Sequence, residues 1–141
     1  MTKGIAPLQS GYALQEGLWL NSFAGGANRV FQNGITAKAS GSATVFTQLL
    51  PYIYCYSVDT CATTGDAVAL PAALPGTILA VINNTATSNL SVYAYQGVNN
   101  GAANNDTINN NSNSTANSLA AHTMTIFVCA KVGQWYAIKS A

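Results

Sequence analysis

The chain has 141 residues, of which only nine carry a formal charge, 6% of positions, for a net charge of +1. Ordinary soluble domains carry roughly 25%. Basic residues scattered this thinly exclude electrostatic capture of nucleic acid or an anionic membrane. The length suits a single domain, and 49% hydrophobic residues can furnish its core. Solvation must therefore rest on Asn, Ser, Thr and Gln, or on a partner that covers the surface.

The first forty residues hold Gly4, Gly11, Gly17, Gly25, Gly26 and Gly34 among isolated large apolar side chains. That much glycine leaves neither a helical nor an alternating period. Residues 1–40 are expected to be an extended N-terminal arm, with at most a helical turn over Leu14–Leu20. A wholly disordered tail would not normally carry Trp19, Phe23 and Phe31, so something is expected to bury them. The opening also lacks an unbroken apolar run after Lys3, which predicts synthesis in a cytoplasm without a secretory signal.

Strand signals begin at Thr44. Thr44–Leu50 is β-rich and Pro51 interrupts it. Tyr52–Val58 alternates, which predicts Tyr52, Tyr54 and Tyr56 on one face and Ile53 and Cys55 on the other. Ala67–Leu70 is a short apolar run, and Thr77–Ile82 is apolar on both faces, as a central strand would be. Across Ala67–Ile82 no membrane helix can form, because Pro71, Pro75 and Gly76 break it. Leu90–Tyr95 resumes alternation, Thr123–Ala130 is strongly apolar, and Gly133 turns the chain into Gln134–Ile138. These short, punctuated strands predict an all-β fold, a β-sandwich or jelly-roll-like domain over 41–141. Residues 99–117 contain nine asparagines and one charge, Asp106. They are expected to form a long Asn-rich loop, or two loops flanking a brief strand at Thr107–Ile108.

Chemistry-bearing groups are sparse. His122 is the only histidine, and its odd separation from Cys129 puts the two on opposite faces of a regular strand. Glu16, Asp59, Asp66 and Asp106 form no evident pair for glycosidic chemistry. The spacing of Cys55 and Cys61 is not that of a zinc site; a bridge between them is conceivable, though a cytoplasm disfavours it. No phosphate-binding loop occurs, and no cofactor or metal is expected. Five Asn-x-Ser/Thr sequons read as a by-product of composition. An enzyme is therefore not expected. The tyrosines Tyr52, Tyr54, Tyr56, Tyr93 and Tyr95 suit cross-strand packing or an inter-subunit face about a symmetry axis. A stacking platform for sugars is the alternative.

The order of motifs over Thr64–Ile138 resembles a module found widely in bacteriophage virion proteins. The motifs are an Asp-x-Val-x-Leu-Pro start at Asp66–Pro71, a Gly-to-Asn strand at Gly76–Asn83, and a strand at Leu90–Tyr95. A turn at Asp106–Asn109, a Phe-x-Cys at Phe127–Cys129 and a closing Gly-x-Trp at Gly133–Trp135 follow. Gly34–Leu50 is similar to the module's opening strands. Residues Asn110–Ser114 are an insertion, and the N-terminal arm is unusual. The resemblance implies a non-enzymatic structural role on a tailed-phage particle, made in the host cytoplasm and placed on the head of the virion. A capsid decoration, or cement, protein fits best, a viral homo-oligomer and commonly a trimer that binds the major capsid protein. On that view Trp19, Phe23, Arg29 and Phe31 grip the capsid or a neighbouring protomer, while the Asn-rich loop faces outward. The alternative it leaves is a receptor-binding knob on a head or tail fibre, touching host-surface glycans.

Overall fold

A computed structural model describes residues 31–39, 47–95, 98–99, 102–103, 106–112 and 114–139. Trp19, Phe23 and Arg29, with the helical turn expected near Leu14–Leu20, lie outside the described residues. The described chain holds strands and no helix, so the all-β expectation is met. Its first strand, β1 (Phe31–Thr36), begins inside the span expected to be arm.

Six strands wind between two sheets in turn. After β1 come β2 (Thr47–Gln48), β3 (Cys55–Thr60), β4 (Ala67–Ala69), β5 (Ile78–Asn83) and β6 (Leu90–Tyr93). The odd-numbered ones pair in parallel in one sheet: Phe31 faces Cys55, and Cys55 faces Ala80. The even-numbered ones pair in parallel in the other: Thr47 faces Val68, and Val68 faces Val92. Each complete turn of the chain thus advances by 21 to 25 residues.

The remainder closes the winding. A two-stranded ribbon pairs β7 (Val98–Asn99) with β8 (Ala102–Ala103). Next come β9 (Thr107–Ile108), β10 (Asn117–Leu119), β11 (Thr123–Lys131) and β12 (Gln134–Lys139). The larger sheet runs β1-β3-β5-β11-β12-β9, and the smaller one β10-β6-β4-β2. Here β11 is antiparallel to both β5 and β12, and β10 is antiparallel to β6.

This connectivity is solenoid-like and differs from the jelly-roll expectation. A jelly roll joins antiparallel neighbours through Greek keys. In this chain successive strands change sheet, so same-sheet neighbours in the first half are parallel. The sequence conceals the difference because parallel and antiparallel strands share the same two-residue alternation.

The core lies between the sheets. Tyr56, Val58, Leu79, Val81, Phe127 and Trp135 enter it from the larger sheet, and Val68, Leu90, Val92 and Leu119 from the smaller; all are at most 1% exposed. Polar groups at the turns fix the coils. Asp66 accepts from the Thr63 backbone N at 3.0 Å and its hydroxyl at 2.7 Å. Gly76 and Gly133 turn at φ of 86° and 76°, where a side chain would be strained. Asp106, 4% exposed, accepts from Ala73 N at 2.8 Å, and a Cβ on Gly133 would lie 3.3 Å from its Oδ1. The motifs behind the phage resemblance therefore sit largely at turns and in the core.

Candidate interaction surface

Tyr52–Val58 does not form one strand. Tyr52 occupies a turn at φ 66°, and β3 starts only at Cys55. The strand's parity is opposite to the one expected: Cys55 faces outward, and Tyr56 is wholly buried with its hydroxyl donating to Leu50 O. Burial pushes that phenol up to about 12. Tyr56 thus cannot belong to an inter-subunit face. Tyr52 and Tyr54, 78% and 58% exposed, line a small open hollow of about 60 Å³ with Pro51, Pro71 and Leu74. Tyr93 and Tyr95 are half-buried on and just after β6, in the other sheet. The five tyrosines do not converge.

Among the described residues, groups suited to catalysis do not converge either; Glu16 lies outside them. His122 is exposed, on a turn at φ 58°. Cys55, Cys61 and Cys129 are free thiols, so Cys55 and Cys61 are not bridged. Burial pushes all three up, away from the reactive thiolate. Among the described residues no His, Cys, Asp and Glu group could hold a metal, and no helix is long and apolar enough to cross a membrane.

The aspartates bind the chain's own turns. Asp59 accepts from Ser57 Oγ at 2.6 Å, Asn84 Nδ2 at 2.8 Å and Gly34 N at 2.6 Å, which together hold its carboxyl below the usual range. The Thr63 hydroxyl and backbone N do the same to Asp66. Lys139 donates to Ser118 O at 3.1 Å.

The Asn-rich segment is better ordered by turn chemistry than its composition suggests. Asn109 and Asn110 take positive φ, 53° and 61°, a backbone state that asparagine tolerates. Asn109 Oδ1 accepts from Ala137 N at 2.9 Å, and Asn110 Oδ1 accepts from Gln134 Nε2. Asn117 is buried in β10. β9 occupies Thr107–Ile108, where the brief strand was expected.

What the residues do assemble is the outer face of the larger sheet. Alternation sends Leu79, Val81, Phe127 and Trp135 inward, so Ile78, Ala80, Ile82, Met124, Ile126, Val128, Tyr136 and Ile138 point outward. Register sets them in rows. One row reads Phe31, Cys55, Ala80, Ile126, Ile138 across five strands. A second reads Ile78, Val128, Tyr136, and a third Ser57, Ile82, Met124. No charged side chain lies in these rows. Phe31, Ile78 and Ile138 are 50%, 55% and 61% exposed. In the smaller sheet the alternate positions facing away from the core are Ala67, Ala69, Ser91, Tyr93 and Ser118, of which Ala67 and Ala69 are buried.

The alternation of Ile78, Ala80 and Ile82 with their inward neighbours is visible in the sequence, as is that of Met124, Ile126 and Val128. What strand order adds is that β5 and β11 are neighbours. No protein-family model, curated protein or solved structure matches this chain.

Proposed function

We propose that this chain is a non-enzymatic structural protein of a phage particle, which binds the capsid shell as a decoration protein and stabilises it by subunit packing. The observation that carries the reading is the set of apolar rows on the outer face of the larger sheet, with Asp59 the one charged side chain of β3 at their margin. Contiguous exposed apolar patches of this extent mark interaction sites rather than solvated surface. The aspartates of the β-domain are consistent with it, since Asp59, Asp66 and Asp106 bond to the chain's own backbone and side chains and form no acidic cluster. The module-like order of motifs supplies the phage context, and the trimeric state and the capsid grip of Trp19, Phe23, Arg29 and Phe31 belong to the same proposal. Its all-β domain supplies two facing sheets, the feature it shares with sandwich and jelly-roll folds.

One observation favours the second reading, a fibre knob that contacts host glycans. Tyr52 and Tyr54 expose their rings beside an open hollow, and Tyr52 does so from a left-handed backbone unusual for an aromatic residue. Copy number separates the two. Gel densitometry of purified virions is expected to give hundreds of copies per particle; about a dozen would indicate a fibre instead.

A further inference from the structure

The rows on the outer face of the larger sheet differ in height in an ordered way. Along β11 and β12 stand Met124, Ile126, Val128, Tyr136 and Ile138, all large. Along β3 and in the middle of β5 lie Cys55, Ser57 and Ala80, all small. Phe31 on β1 bounds the small residues on their far side. The face is thus a ridge along β11 and β12 beside a valley that is deepest at Cys55 and Ala80 and is closed along β5 by Ile78 and Ile82.

We propose that this face binds a second copy of the chain, the ridge of each copy filling the valley of the other. A two-fold axis parallel to the strands, above the line between β5 and β11, brings each ridge over the partner's valley. Facing sheets with nearly aligned strands pack in this way at roughly 10 Å separation, and an isologous contact needs just such self-complementarity. Ile126 of one copy then lies against Ala80 of the other, twice per pair.

The occupant follows from shape, charge and size. The rows themselves carry no charge to orient a charged partner, and Asp59 at their margin on β3 is held by Ser57, Asn84 and Gly34, whereas the relief of the rows is complementary to itself. Five strands at ~4.8 Å and about six residues at ~3.3 Å give a footprint on the order of 450 Å². Two such footprints approach the ~1,000 Å² that a specific interface needs, so the pair should form in a concentration-dependent way. The same face carries the capsid reading, and its occupant in free solution is a second copy, which the shell would displace on the particle; dimerisation of the free chain and attachment to heads are therefore tested separately. A two-fold pair also differs from the trimer that the phage resemblance implies, so stoichiometry keeps them apart.

The test is sedimentation velocity of the full chain over an about hundredfold concentration range. The unmodified protein is expected to shift from monomer to dimer. Ile126→Lys and Ala80→Glu, both outward-facing, should each weaken pairing by more than about tenfold. Mixing the two variants should restore dimers, because one contact then joins Lys to Glu and the other remains Ile to Ala. Circular dichroism verifies folding, and the pair Ile138→Lys and Cys55→Glu, which the same axis brings together, replaces the first pair if either of its members fails to fold. A monomer at every concentration overturns the proposal, as it would if another part of the chain covered the face. An oligomer indifferent to both substitutions, or one that mixing does not rescue, overturns it too.

Discussion

Phe127→Ala is expected to lower the unfolding free energy by about 3–5 kcal/mol, a large share of the roughly 5–15 kcal/mol typical of a domain. Phe127 is wholly buried at the centre of β11, between register partners Leu79 on β5 and Ala137 on β12. Truncation loses the transfer free energy of the ring and leaves a cavity that flanking strands cannot collapse into without breaking their ladders. Urea unfolding followed by circular dichroism measures it, with Val132→Ala as control. Val132 is 75% exposed, and its truncation should change stability by no more than about 0.5 kcal/mol. Equal effects at the two positions would mean that β11 does not face the core as described.

Asn83→Ala should cost about 2–4 kcal/mol, more than its volume alone explains. Asn83 is fully buried, and its amide uses every donor and acceptor group. Nδ2 donates to Ser88 O at 2.9 Å and to Leu119 O at 3.0 Å, while Oδ1 accepts from Thr85 N at 3.2 Å and from Thr85 Oγ1 at 2.7 Å. One side chain thereby joins the end of β5, the turn that follows and β10 in the opposite sheet. Removing it leaves the Thr85 N–H without this acceptor and takes one donor each from the Ser88 and Leu119 carbonyls, the expensive side of hydrogen-bond energetics. Asn83→Asp should be at least as damaging at neutral pH, because a carboxylate would face those two carbonyls as an acceptor. Thermal melts of the three proteins check both statements; a melt for Asn83→Ala within a degree or so of the parent would contradict them.

Both residues were visible in the sequence as members of strands, and only one as a core position. Phe127 stands in an apolar alternation that reads as a strand however its neighbours pair. Asn83 reads as the start of a turn, which it also is. Nothing local shows that its amide reaches across to Leu119, 36 residues away. The same limit hid β1 and β10: Gly34 erases the period of the first, and the second is three residues of an asparagine-rich stretch. The tyrosine stripe failed for a related reason. Tyr52, Tyr54 and Tyr56 keep a spacing of two, but the left-handed turn at Tyr52 and the strand's start at Cys55 put their side chains in different places. Conversely, β9, β11 and β12 came through nearly residue for residue, because turns at Asn109 and Gly133 bound them in the sequence itself.

The ridge and valley of the outer face lie between these cases. Each row crosses strands that are 24 or 25 residues apart in the first half and paired with distant strands in the second. Composition pointed to a sparsely charged surface; register shows which face gathers the apolar rows.

On the proposed reading, this protein attaches by packing rather than by charge. The direct measurement titrates the full-length chain onto purified heads that lack it and reads bound copies at rising salt concentration. Attachment through uncharged apolar surface predicts saturable binding whose affinity stays constant or rises with salt, since screening has little to act on. An affinity that falls by an order of magnitude or more over the same range, or no saturable binding at any salt, would contradict it.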